Sequence, residues 1–201
     1  MSTELGPLAR EVVLTAHDLP ARDRSHADRV RDLSARPATH CGGTVDTEVL
    51  AGAVWLHDIG RPLERTGDID HHDRWVAAAA AELLETEGVA PGRIDAVERC
   101  IRSHSIRSSS PEPESVEVRL PLNADKLDAV GARGLVRSPC IVGERSRRAG
   151  ETYAVIDDAS VPGVPSADCP DISLLREWAR ERLDHLYTAP DRRIGESRWR
   201  L

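Results

Sequence analysis

A short, nearly uncharged helical run at residues 49–56 ends at the pair His57 and Asp58, and this junction constrains the fold more than any other feature. The run is apolar on all sides, so the helix is expected to lie inside the protein. A carboxylate at the end of such a helix loses its hydration and meets the partial negative charge of the helix C-terminus. It therefore needs a cation, and the adjacent imidazole suggests that this cation is a metal ion.

Hydrophobic periodicity favours helix through most of residues 1–137, and no sustained alternation of β-branched residues indicates a sheet. The predicted fold is an all-α, single-domain helical bundle that covers residues 1–201. The predicted helices are residues 4–17, 25–40, 46–59, 72–87, 91–104, 114–130 and 172–187.

A long irregular segment is expected at residues 138–170, where prolines and glycines recur and only residues 153–156 look like a strand. Loops of this length usually cover a functional site or form a mobile part of the surface. The helix at residues 172–187 is expected to pack Leu175 and Trp178 on the bundle, and the tail after Pro190 is expected to fray.

The charge of the chain limits its partners. A net charge of -7 and a pI near 5.6 argue against a nucleic-acid polymer as partner, because phosphate backbones are bound by clustered basic residues. No apolar stretch approaches the roughly 20 residues of a membrane span, and the N-terminus lacks a signal pattern. We therefore expect a cytoplasmic protein without a membrane partner, and the sequence leaves its oligomeric state open.

Arginine outnumbers lysine 26 to 1, a bias that suggests a GC-rich bacterial genome. The only lysine, Lys126, and the only asparagine, Asn123, flank Asp125. A compact ammonium beside a candidate metal ligand is suited to neutralise a phosphate or to hold a carboxylate.

Two further candidates have plain structural alternatives. His26 shares a helix face with Val30 and Leu33, so it is either a core histidine or a buried ligand. Asp125 and Asp128 share a face at i, i+3, where like charges repel unless a cation intervenes; the alternative is a solvated acidic face.

Four segments in order, SHADRV, LAGAVWLHDIG, CIRSHS and NADKLDAVGARGLVR, resemble the small stand-alone hydrolases of the HD-domain family of metal-dependent phosphohydrolases. The resemblance covers roughly residues 20–140. It implies that the metal ligands are His26, His57, Asp58 and Asp125. It also implies that the side chains lining the site are Arg29, His104, Lys126 and Asp128.

This ligand set contains imidazole and carboxylate but no sulfur, which suits a divalent Mn, Fe, Co, Ni or Zn ion with open coordination positions. The expected activity is hydrolysis of a phosphate ester or anhydride of a small molecule, a nucleotide above all, by a metal-activated water. Lys126 and Arg29 are expected to offset phosphoryl charge, with Arg61 or Arg107 as further candidates, and Asp128 to orient Lys126 or a water.

Two alternatives remain open. His71 and His72 either face solvent at a helix start, or His72 and His104 bind a second metal ion that Asp58 bridges. Two ions would suit phosphodiester hydrolysis or a di-iron oxygenase of the same superfamily. A non-catalytic ligand-binding or scaffold protein is a third class, and it is disfavoured because every ligand position is filled.

Overall fold

The computed structural model describes residues 5–16, 22–41, 45–106, 110–149 and 173–200. These residues form ten α-helices and no strand, which confirms the predicted all-α class. The helices are α1 Leu5–Ala16, α2 Arg24–Ala38, α3 Thr47–Leu56, α4 Arg61–Thr66, α5 His72–Thr86, α6 Pro91–Ser103, α7 Val116–Asp128, α8 Ala132–Ala149, α9 Ser173–Asp184 and α10 Ala189–Trp199.

Helix α3 lies at the centre of the bundle, where α1, α2 and α6 pack against it. Asp46 caps its N-terminus by accepting hydrogen bonds from two backbone amides of the first turn. Residues 49–56 are buried except for Ala51, as their apolar character predicts. The C-terminal end of α3 therefore delivers His57 and Asp58 into the interior.

Helix α7 carries the acidic side of the site. Ser115 caps its N-terminus, and the helix continues through the buried Pro121 to Asp128. Helix α2 packs along α7, which brings His26 against the last turn of α7. The long-range pairing of α2, α3 and α7 thus assembles residues that lie far apart in the sequence.

Residues 138–149 correct the prediction of an irregular segment, because they belong to α8. Pro139 removes one helix hydrogen bond, but Arg137 and Ile141 are buried on one face, and this burial outweighs the loss. Helix α8 also needs Gly134 in its first turn, where a Cβ would clash with the carbonyl oxygen of Ala129. Residues 150–172, including the strand-like run at 153–156, lie outside the described residues.

The C-terminal region corrects two further expectations. The helix predicted at residues 172–187 is α9, and it is followed by another helix, α10, where a frayed tail was expected. Pro190 lies in the first turn of α10, where a missing amide costs little, and Thr188 caps that turn by accepting a bond from the amide of Asp191. Proline therefore starts this helix.

Within the described residues, the helices are all too short or too polar to cross a membrane.

Candidate metal centre and anion pocket

Asp58 is the centre of a buried cluster in which each carboxylate oxygen faces a different pair of histidines. Its Oδ2 lies 3.4 Å from His57 Nε2 and 3.8 Å from His26 Nε2. Its Oδ1 lies 3.7 Å from His72 Nε2 and 3.8 Å from His104 Nε2. We call these groups the His26 triad (His26, His57, Asp58) and the His72 triad (His72, His104, Asp58). In each, the potential ligand atoms lie within 4.8 Å of one another.

His26 presents Nε2 to the cluster because Asp128 holds its other ring nitrogen. His26 Nδ1 lies 2.9 Å from Asp128 Oδ2, and Arg29 donates two bonds to the same carboxylate at 2.8 and 3.0 Å. Burial acts to raise the pKa of Asp128, but the bonds from His26 and Arg29 lower it to about 2. The ionised carboxylate can only accept, so His26 carries its proton on Nδ1 and a lone pair on Nε2.

Backbone carbonyls orient two more histidines in the same way. His57 Nδ1 donates to the carbonyl of Val54 at 2.7 Å, and His104 Nδ1 donates to the carbonyl of Ile101 at 2.5 Å. Within the described part of the chain, the buried Nε2 of His57 has no hydrogen-bond partner. A buried polar atom of this kind is costly unless something satisfies it, and a metal ion would do so.

His72 completes the second triad and is fully buried. Its Nδ1 lies 3.3 Å from Glu64 Oε1, and its Nε2 lies 3.0 Å from the Nε2 of His104. Burial, and then the charge of Arg61, lower the pKa of His72 to about 3, and burial lowers the pKa of His104 as well. Near neutral pH the two Nε2 lone pairs therefore face each other, and they repel unless a cation lies against both.

Two arginines hold the shared carboxylate in its charged form. Arg22 Nη1 donates to Asp58 Oδ2 at 3.0 Å, and Arg61 Nε donates to Asp58 Oδ1 at 2.8 Å. Burial acts to raise the pKa of Asp58, but Arg22, His57 and Arg61 bring it well below its usual range. For His57, burial lowers the pKa and the charge of Asp58 raises it, with a net increase. Asp58 is therefore ionised, as a carboxylate that binds a metal ion must be.

Asp125 closes the His26 side of the cluster. Its Oδ1 lies 3.4 Å from His26 Nε2, and Lys126 Nζ donates to its Oδ2 at 3.1 Å. Lys126 also donates to the backbone carbonyl of His104 at 2.5 Å, so it ties the two halves of the cluster together. Arg137 Nη2 donates to His26 Nε2 at 2.9 Å and reaches the cluster from α8.

A polar pocket opens directly beside this cluster. Its cationic side chains outnumber its acidic ones, so an anion is the ligand that its walls suit. The charged residues that line it are Arg22, Arg61, Lys126, Arg137, Arg182, Asp125 and Glu181.

The residues fit a metal ion. The donors are imidazole nitrogens and carboxylate oxygens, a set that divalent transition ions accept readily, and each imidazole directs its Nε2 inward. The unsatisfied Nε2 of His57 and the close approach of His72 to His104 are both explained by cations at these positions. Asp125 and Lys126 belong to both the cluster and the pocket wall, so an anion in the pocket would lie beside the cluster.

The structure brings the nine residues predicted from the sequence into one cluster but changes the part that two of them play. Asp128 was expected to orient Lys126 or a water, and it holds His26 instead. Arg29 was expected to offset phosphoryl charge, and its guanidinium is engaged by Asp128. The solvent-facing alternative for His72 is wrong, because only its neighbour His71 is exposed.

Sequence reasoning missed three charged residues that contact the cluster, namely Arg22, Glu64 and Arg137. Glu64 lies on α4 and Arg137 on α8, and neither of these helices was predicted. In a chain with 26 arginines, no residue pattern distinguishes Arg22 and Arg137 from the rest.

Comparisons with known proteins agree with the fold. A family model described as the HD domain matches residues 24–130, which is more than half of the chain. A search of curated proteins found no significant match.

Solved structures share the fold at low sequence identity. A Lactobacillus plantarum protein is 24% identical with a TM-score of 0.67, and the match covers 100% of this chain and 92% of that one. A predicted HD superfamily hydrolase from an uncultured Thermotogales bacterium is 24% identical with a TM-score of 0.60, covering 98% and 84%. YpgQ of Bacillus subtilis, solved in complex with ADP, is 21% identical with a TM-score of 0.66, covering 98% and 90%.

Proposed function

Because this chain belongs to the HD-domain family, we propose that it is a metal-dependent phosphohydrolase that cleaves a phosphate ester or anhydride of a small molecule. The observation that carries the proposal is the contact between a buried set of inward-facing ligand atoms and a cation-lined pocket. The cluster of ligand atoms suits a metal ion, and the adjoining pocket suits the phosphate that the ion would polarise.

His26, His57, Asp58 and Asp125 are the proposed ligands of a divalent Mn, Fe, Co, Ni or Zn ion. Such an ion supplies Lewis acidity toward a phosphate oxygen and toward the attacking water. Lys126 and the pocket arginines offset the charge that develops on the phosphoryl oxygens. Asp128 keeps His26 in the tautomer that directs Nε2 inward.

A nucleotide is the proposed substrate. The pocket offers cations from three separate helices, Arg61 on α4, Lys126 on α7 and Arg182 on α9, which suits more than one phosphate group. The ADP bound to YpgQ adds support, since that protein shares this fold.

A cytoplasmic location remains a prediction.

The test is a turnover assay with the Mn²⁺-loaded protein on nucleoside mono-, di- and triphosphates, in which phosphate and pyrophosphate are measured separately. We expect metal-dependent release that a chelator abolishes and that Asp58→Asn eliminates. The exposed Asp70 provides a matched control, and Asp70→Asn should retain full activity. Turnover that survives both the chelator and Asp58→Asn would refute the proposal.

A di-iron oxygenase is the second candidate, and the His72 triad favours it. Together with His26, His57 and Asp125, this triad offers six potential ligands around two positions. Oxygen consumption by the Fe²⁺-loaded protein in the presence of small phosphorylated molecules would support this candidate. An absence of oxygen uptake, combined with phosphate release, would leave the hydrolase.

A further inference from the structure

Arg137 occupies an unusual position for an arginine in a metal-binding cluster. It is 8% exposed, and its Nη2 donates to His26 Nε2, the nitrogen that the proposed metal site needs. Its Nη1 lies 3.6 Å from Asp125 Oδ1 and 3.6 Å from Asp128 Oδ2. The two carboxylates of α7, which repel each other at i, i+3, thus share this guanidinium.

On the basis of the proposed function, we propose that Arg137 is the internal counter-cation of the metal-free site and that a divalent ion replaces it at His26 Nε2. A neutral imidazole nitrogen has one lone pair, so Nε2 accepts either from Arg137 or from a metal ion. The guanidinium must therefore leave Nε2 when the ion binds.

The released guanidinium has a second use, because Arg137 already forms part of the pocket wall. It stays charged at any working pH, and its planar fork suits two oxygens of a phosphate group. Arg137 thus neutralises the carboxylates of α7 before the metal ion binds and holds the anion afterwards.

The exchange couples the two ligands. Metal binding frees Arg137 for the anion, and an anion that holds Arg137 removes a competitor from His26. Linkage requires the two effects to be equal, so inorganic phosphate should tighten Mn²⁺ binding by the factor by which Mn²⁺ tightens phosphate binding.

The experiment compares wild type, Arg137→Met and Arg133→Met by Mn²⁺ titration, with free Mn²⁺ followed by electron paramagnetic resonance. Arg133 is an exposed residue of the same helix, so its variant should behave as wild type. Removing Arg137 removes both a positive charge and a competitor. We expect Arg137→Met to bind Mn²⁺ about 10-fold more tightly and the Mn²⁺-loaded variant to bind inorganic phosphate about 10-fold more weakly.

Thermal unfolding supplies a readout that does not depend on activity. Arg137→Met should lower the Tm of the metal-free protein, because Asp125 and Asp128 lose their shared cation, and Mn²⁺ should restore most of the loss. A residue with a purely structural part would lower both Tm values equally, and that result would overturn the inference. Arg137→Lys, which keeps the charge, should retain a metal-free Tm closer to wild type.

The two proposals fail differently. If wild type binds no Mn²⁺ or other divalent transition ion, the proposed function fails. If wild type binds Mn²⁺ and Arg137→Met binds it equally or more weakly, only the exchange proposed for Arg137 fails.

Discussion

The His26 triad and the His72 triad share Asp58, and each backs one histidine with a buried carboxylate that an arginine holds. On one side, His26 faces Asp128, which Arg29 grips with two bonds. On the other, His72 faces Glu64, which accepts one bond from Arg61 at 2.9 Å. The same carboxylate–histidine arrangement therefore occurs twice, on different helices and with different histidine–carboxylate distances.

The two triads differ in the charged residues that surround them. Two additional carboxylates, Asp125 and Asp128, surround the His26 triad, and arginines from α8 and from the segment before α2 reach into it. The His72 triad has one further carboxylate, Glu64, and its two histidines are neutral near neutral pH. We infer that the first ion binds at the His26 triad, because Asp125 offers that side a second carboxylate oxygen, 3.4 Å from His26 Nε2.

Asp58→Ala should have the largest effect, since it removes the ligand that both triads share. The variant is expected to lose bound metal from both positions and to lose turnover by at least about 10⁴-fold. Metal content by mass spectrometry together with steady-state kinetics checks this. A variant that keeps one equivalent of metal and normal turnover would show that Asp58 is not a required metal ligand.

His104→Ala separates the two triads. With one ion at the His26 triad, this variant should keep its metal and lose about 10²-fold to 10⁴-fold in turnover, the range for a lost acid-base or positioning group. If wild type holds two ions, the variant should lose half of its metal. His72→Ala tests the same choice, and the exposed His71 provides the control His71→Ala, which should change neither quantity.

Lys126→Ala should reduce turnover by about 30-fold to 1000-fold, or roughly 2 to 4 kcal/mol, with little change in metal content. Its ammonium joins Asp125 to the carbonyl of His104 and lines the pocket, so it is placed to meet charge on the phosphoryl group. Lys126→Arg should restore turnover only in part, because a guanidinium is longer and planar. Unchanged kcat in the alanine variant would mean that arginines alone meet this charge.

On one side of this comparison, local sequence patterns and the family resemblance together named the residues that meet. The apolar run before His57 predicts a buried helix end, and the segment around Asp125 predicts the acidic helix that faces it. The His72 triad depends on α5 packing against α6, which brings His72 and His104 together across 32 positions. Periodicity assigns both helices but does not reveal this contact.

Arg137 and Glu64 were missed for a related reason. Pro139 and the nearby glycines indicate a loop, whereas the burial of Arg137 and Ile141 stabilises a helix there. Glu64 belongs to a helix of six residues, too short for periodicity to detect. Charged residues that act through tertiary contacts leave little signal in a single sequence.

Asp128→Asn and Glu64→Gln compare the two carboxylate supports directly, and they should have the smallest effects. Removing a carboxylate that orients a ligating histidine typically costs about 10-fold to 100-fold in metal affinity. His26 Nδ1 lies 2.9 Å from Asp128 Oδ2, whereas His72 Nδ1 lies 3.3 Å from Glu64 Oε1. Arg29 also donates two hydrogen bonds to Asp128. Asp128→Asn should therefore weaken the first equivalent of Mn²⁺ more than Glu64→Gln does.

Calorimetric titration of both variants with Mn²⁺ checks this order, and the exposed Asp32 supplies the control Asp32→Asn. Glu64→Gln should act on a second equivalent of metal, or on turnover alone if only one ion binds, because Glu64 supports His72 and not His26. If the affinity for the first equivalent of Mn²⁺ falls more in Glu64→Gln than in Asp128→Asn, the comparison is reversed. The His72 triad would then be the tighter metal position, since loss of its carboxylate support would govern the first binding event.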